Sequence, residues 1–206
     1  MARRKAVDTE NTKEKIYSVA CTEFASKGFQ ASSLRDICQK AGYTTGALYF
    51  CYENKNDLFC KIVDSVTVPL IEFMKSHFKT ETTYVLNDFD ANQENDIKEF
   101  IVLLDFYYQH KNSFDVILNN RNHPYVERFY IQAAKLFEEH YIRLLNNIAK
   151  IKPRETPLDE YTVKWFSKTD LEMIVNLLQQ NFSKDEAMVH ARNLVKILER
   201  GFTGLL

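Results

Sequence analysis

The sequence predicts an all-α protein, a small three-helix head followed by a larger helical domain. Three observations carry this. Only 5 Gly and 4 Pro occur in 206 residues, so few positions break a helix. Apolar residues recur at three- and four-residue steps, and no alternating run suggests a sheet. Capping signals of the Ser-x-x-Asp or Ser-x-x-Glu kind open segment after segment.

The first helix is expected from about Thr9 to Lys27, with Ile16, Val19, Ala20 and Phe24 on one face. Gly28 ends it in a left-handed conformation, and Phe29 turns back to the core. Ser33-Leu-Arg-Asp36 reads as a capping box opening a second helix, with Leu34, Ile37, Cys38 and Ala41 inward. Gly42 stops it. Thr44 is the next N-cap, and a short third helix covers Thr45 to Cys51. Asn54-Lys-Asn-Asp57 opens a fourth, carrying Leu58, Phe59, Ile62, Val63 and Val66. Pro69 is expected to interrupt that helix or end it near 75–78, and the polar stretch 79–94 to connect. Helices then follow at about 93–110, 112–120 and 124–151, the last with Pro124 at its permissive first position. Ile151 to Pro157 reads as a loop. Thr156-Pro-Leu-Asp159 is one helix start, and Thr169–Glu172 and Ser183–Glu186 are capping boxes for the last two helices. Whether 158–168 joins the helix after it stays open.

Two helices joined by a tight glycine turn, the second short and polar at its start, form a helix-turn-helix. A short helix held out on two others suits the major groove of DNA. Thr44 and Thr45 sit where free N–H groups and the positive helix end meet phosphate. Gly46 allows close backbone approach, and Ala47 offers a methyl to a thymine methyl. Tyr49 is a phosphate contact through its phenol, Phe50 a packing or apolar groove contact, and Lys55 a phosphate partner. Ser33 and Arg35 begin the helix that crosses the DNA backbone. No Arg, Asn or Gln lies between Thr44 and Tyr52, so phosphate contacts and DNA shape carry much of the affinity. The basic stretch Arg3-Arg4-Lys5 is either a further DNA contact or a frayed terminus.

These residues resemble the DNA-binding domain of TetR-type (TetR/AcrR) bacterial transcriptional regulators. Ile16, Ala20, Phe24, Gly28 and Phe29 match in the first helix. Ser33 to Ile37, Ala41 and Gly42 match in the second. Gly46 to Phe50, Lys55, Leu58 and Phe59 complete the pattern. Cys51 and Tyr52 stand where the family often has His and Phe. The resemblance implies a DNA-binding domain over 1–55, an effector-binding and dimerisation domain over 56–206, and a ligand-responsive repressor that binds a palindromic operator as a homodimer.

The rest of the chain is less specific. Leu171, Val175, Leu178 and Phe182 recur at heptad spacing, as do Ala187, Ala191, Leu194, Leu198, Gly201 and Leu205. Such stripes suit helices packed at a shallow angle, either as a four-helix dimer interface or as a hairpin within one chain. A dimer supplies two half-sites about 34–36 Å apart. Aromatic residues crowd the segment between the head and these stripes, among them Phe100, Phe106, Tyr107, Tyr108, Phe114, Tyr125, Phe129, Tyr130, Phe137, Tyr141, Trp165 and Phe166. They suit either an ordinary core or a pocket for a small apolar or aromatic effector, with His110 or His140 adding polarity.

Composition sets outer bounds. Residues 1–60 hold nine Lys and Arg against seven Asp and Glu, a net +2, and the remainder carries −3. Double-stranded DNA is thus an expected partner through a local patch. No run suits a membrane span, and no signal peptide is evident, so the expected location is cytoplasmic. Cys21, Cys38, Cys51 and Cys60 fit neither a zinc site nor a disulfide scaffold. Cys38 reads as a buried structural thiol, and Cys51 is the candidate if any cysteine is redox-active. No cofactor, metal or enzymatic activity is expected, because no motif pairs a nucleophile with a base or two carboxylates. The alternative function is a helical binding or scaffold protein of the same fold without operator binding.

Overall fold

A computed structural model describes the backbone of residues 2–84, 89–151 and 159–204; the side chains of 2–8, 80–84, 89–92, 148, 151, 199 and 202–204 lie outside the described residues. Among the described residues all regular structure is helical: α1 (Ala2–Ala31), α2 (Leu34–Ala41), α3 (Thr45–Cys51), α4 (Lys55–Tyr84), α5 (Phe89–Gln109), α6 (Lys111–Asn119), α7 (Pro124–Ile151), α8 (Glu160–Gln179) and α9 (Lys184–Gly204). The all-α expectation holds.

Several ends fall where local chemistry puts them. Gly42 adopts φ 77°, ψ 25°, and the N–H groups of Gly42 and Tyr43 close on the carbonyls of Gln39 and Cys38. Thr44 Oγ1 accepts from the Ala47 N–H at 3.2 Å. Asn54 Oδ1 accepts from the Asp57 N–H at 3.0 Å, and Asp57 reaches back to the Glu53 N–H rather than to Asn54. Asp159 caps α8 through the Thr162 N–H. Ser183 and Glu186 form the reciprocal box that opens α9.

Other expectations are corrected. α1 begins at Ala2, because Ala, Arg and Lys in the first turns sustain a helix without a breaker. Gly28 has positive φ (78°) but ψ 163°, so it bends the chain without a left-handed helical residue, and one more turn follows. Ser33 takes the N-cap position of α2, yet its hydroxyl makes no cap bond. The neighbouring Ser32 hydroxyl is the one engaged, donating to Gly28 O at 2.7 Å. α4 passes straight through Pro69 and on to Tyr84. One missing N–H is outweighed by buried anchors on both sides, Val66 before and Ile71, Met74 and Phe78 after. Most of the expected connector 79–94 is therefore helix, and 85–88 lie outside the described residues. Thr169 opens no helix: α8 runs continuously from Glu160, and the Thr169 hydroxyl donates to Trp165 O at 2.8 Å within it. The expected loop over 152–157 lies outside the described residues.

The chain divides into two compact units, 1–69 with 110–129 and 70–109 with 130–206. The first takes in α1 to α3, the first half of α4, and α6. Its core is Ile16, Ala20, Phe24, Ile37, Leu48, Leu58, Phe59, Ile62 and Val116. In the second, α9 packs on α5 and α8. Tyr107 and Tyr108 of α5 donate their phenol protons to the carbonyls of Leu178 and Phe182, both at 2.8 Å.

Candidate nucleic-acid interface

The first unit holds α3 at its surface by one anchor. Leu48 is fully buried, while Thr45, Gly46, Tyr49 and Phe50 are exposed and Ala47 is half-buried. Four residues of a seven-residue helix thus project away from the core. Tyr52, at the C-cap, is buried and closes the helix through its N–H to Leu48 O at 2.9 Å. The outward face carries two hydroxyls, a bare backbone and a phenyl ring.

α2 and α3 pack on α1 and on each other. Arg35 is exposed and Ser33 half-buried at the start of α2. Lys55 lies at the start of α4 but leans inward. Its Nζ sits 4.4 Å above the Phe29 ring centroid, 3.4 Å from Gln30 O, and burial lowers its pKa. Its stem packs while the ammonium stays near the surface. The side chains of Arg3, Arg4 and Lys5 lie outside the described residues.

Some of what holds this face in place has no local signal. Glu23 is a buried carboxylate in the inward face of α1. Lys27 Nζ lies 2.8 Å from it, and Lys40 of α2 bonds its other oxygen. These two partners hold the Glu23 carboxyl below its ordinary range. The pair Glu23–Lys27 at four-residue spacing is readable in sequence; the tie to Lys40 is not. Asn120, just past α6, is buried and triply engaged. Its Oδ1 accepts from the Phe29 N–H, and its Nδ2 donates to Phe24 O and Val116 O at 2.9 and 2.7 Å. Tyr17 of α1 donates to Ser65 at 2.7 Å and shares a 3.2 Å bond with Ser113 of α6.

The cysteines divide by environment. Cys38 is buried as expected, and Cys21 is buried with its thiol pushed up to about 11. Both are thus poor thiolates. Cys51 and Cys60 are half-buried.

In the second unit Leu171, Val175, Leu178, Ala187 and Ala191 are buried within the chain itself, Leu194 and Leu198 are half-buried, and Gly201 is exposed. The inward stripe thus closes the packing of this unit. Beside it, on the open face of α8 and α9, runs a groove of about 870 Å³ lined by Trp165, Met173, Asn176, Leu177, His190, Leu194 and Ile197, among others. Leu205 lies outside the described residues. The aromatic residues do not form one cluster. Phe114, Tyr125 and Phe129 belong to the first unit, and Trp165 is exposed. His110 is exposed in the first unit, whereas His140 is buried in the second and stacks on Phe78 at 4.4 Å. Tyr141, beside it, donates to the buried Asp170 at 2.8 Å. Phe137 and Phe166 complete this interior. Among the described residues no group of His, Cys, Asp and Glu suits a metal ion, and no helix is long and apolar enough to cross a membrane.

Residues 16–62 match the family described as bacterial regulatory proteins, tetR family. The HTH-type transcriptional regulator AcrR of Shigella flexneri is 37% identical over 62 residues, 30% of this chain and 29% of that protein. The chain's matches thus span about a third of the curated relatives' length. A TetR-family transcriptional regulator from Bordetella parapertussis shares the fold, with a TM-score of 0.67 at 15% identity over 96% of this chain and 98% of that one. SmeT, the repressor of the Stenotrophomonas maltophilia multidrug efflux pump SmeDEF, gives 0.58 at 19% identity over 91% and 90%, and is also known as a complex with triclosan. The match to that family thus lies in the head, over residues 16–62, and the nine described helices follow the fold of solved TetR-family regulators.

Proposed function

We propose that this protein is a transcriptional repressor that binds a palindromic operator as a homodimer and releases it when a small molecule binds. The observation that carries DNA binding is the outward face of α3, where Thr45, Gly46, Tyr49 and Phe50 are exposed around the single anchor Leu48. Thr44, Thr45 and Tyr49 contact phosphate, with Ser33, Arg35 and Lys55 flanking them. Gly46 and Ala47 let the helix approach base edges closely. Thr44 does so with its exposed edge, because its oxygen already caps α3. Lys55 reaches phosphate by leaving the Gln30 carbonyl, a modest exchange for an ammonium on a long stem.

A second copy docks on the open groove of α8 and α9, where Trp165 and Ile197 are more than half exposed. Leu194, Leu198 and Gly201 lie at its edge, while Leu171, Val175, Leu178, Ala187 and Ala191 support it from beneath. The effector is apolar or aromatic and enters the second unit among Phe78, Phe137, His140, Tyr141 and Phe166. SmeT's complex with triclosan supports a small-molecule effector. Binding there biases the equilibrium toward a state with the heads wrongly spaced for DNA. The protein works in the cytoplasm, where its DNA is, and catalyses no reaction.

The test is a gel-shift titration of the full chain on the DNA flanking its own gene, at several salt concentrations. Tyr49→Ala and Lys55→Ala are expected to weaken binding to every duplex, and Lys55→Ala, which removes a cation, to lower the salt slope by about one. Unchanged affinity and slope in both variants sink the contact assignment. No duplex binding by the wild type leaves the scaffold function instead.

A further inference from the structure

From Thr45 to Cys51, α3 contains no amide, guanidinium, ammonium or carboxylate side chain. Its polar vocabulary is smaller still, because the Thr44 hydroxyl oxygen is engaged by the Ala47 N–H. The Thr45 hydroxyl and the Tyr49 phenol are the remaining oxygens on the outward face. Neither makes the bidentate pair by which Arg selects guanine or Asn selects adenine.

The largest outward group is the Phe50 ring, 80% exposed. A phenyl ring held in water gains from any apolar partner that covers it. Base edges in the major groove of unmodified DNA offer one such partner, the C5-methyl of thymine. Phosphate and sugar offer none that encodes sequence.

We propose that Phe50 is a specificity-determining residue that recognises the C5-methyl group of a thymine in each half-site. At that base pair the head reads a methyl in place of a hydrogen-bond pattern. It holds only if the head reads DNA as proposed above. Ala47, half-buried on the same helix, is too small and too recessed to make this contact alone.

The experiment begins with the full chain and a random-sequence duplex library, from which the preferred duplex is selected. Each thymine of that duplex is then replaced singly by deoxyuridine, which removes only the methyl. One thymine per half-site is expected to show a roughly four-fold rise in Kd, about the value of one methyl. Replacing that uracil by 5-bromouracil, whose bromine fills the methyl's place, is expected to restore binding. Phe50→Ala is expected to bind the thymine and uracil duplexes equally. Because the ring is exposed, its thermal melt should match the wild type. If no duplex is enriched, DNA reading itself fails and this role with it. If a duplex is enriched but every deoxyuridine substitution is neutral, or Phe50→Ala keeps the wild-type penalty, the methyl contact alone is overturned.

Discussion

His123 lies against two phenylalanine rings, 4.5 Å from Phe29 and 4.3 Å from Phe59 between centroids. Its Nδ1 accepts the Tyr125 N–H at 3.2 Å. Burial, then the nearby Arg128 guanidinium, lower its pKa from the ordinary 6.5. The folded head therefore prefers the neutral ring, and the unfolded chain binds the proton first. By linkage, this group leaves stability unchanged above about 6.5 and lowers it as pH falls from there through the depressed folded value. Carboxylates such as Glu23 and Asp57, held low by lysines, act in a lower window: their stabilisation is present above the unfolded carboxylate pKa and lost as pH falls through the folded one. Thermal melts between pH 7 and 5.5 should show a falling melting temperature in the wild type and a flatter profile in His123→Leu. An equal slope in both places the acid sensitivity elsewhere. Because Lys55 sits over the other ring partner, Phe29, acid loosening would reach a residue proposed to meet DNA.

At the scale of elements, α6 is tied into the head by one side chain that meets three backbone groups. Asn120→Ala strands the Phe29 N–H and the carbonyls of Phe24 and Val116 in a buried site. The expected loss is about 2–4 kcal/mol, since each unsatisfied buried group costs about 1–3 kcal/mol. Asn120→Asp keeps an acceptor for Phe29 but turns a carboxylate toward two carbonyls, so it should destabilise as well. A urea melt that leaves either variant at wild-type stability would show that α6 docks without this bridge. Nothing in the sequence around Asn119–Asn120 foretells the bridge, because two of its three partners, Phe24 and Phe29, lie more than ninety residues away. Caps at Thr44, Asn54 and Ser183 were legible because donor and acceptor are three residues apart. The same logic failed at Thr169 and Pro69, where burial of Val66, Ile71, Val163 and Leu171 keeps the helix continuous against the local signal. The outward face of α3 was legible for a different reason: Leu48 is the one large aliphatic in a short, capped helix, so its neighbours had to face out.

For the molecule as a whole, the sequence shows two apolar stripes on α8 and α9 without showing which face each one meets. Leu171, Val175, Leu178, Ala187 and Ala191 turn inward, and α9 packs on α5 as well as α8. What remains open is a mixed surface with Trp165 at 56% and Ile197 at 59% exposure. Large aromatic and aliphatic groups lining a groove are a usual core for an interface, and a stable one needs about 800 Å² per partner. A single seven-residue helix makes few contacts with one half-site, so useful affinity requires two heads on one duplex. Trp165→Glu with Ile197→Glu places like charges at the centre of the proposed contact while disturbing only exposed positions. The double variant should sediment as a monomer and keep the helical content of the wild type, with a melt lowered only by the lost association. Its affinity for a two-half-site duplex should fall toward that for a single half-site. If it remains a dimer, or if a monomer still fills both half-sites with wild-type cooperativity, the pairing surface lies elsewhere on this chain.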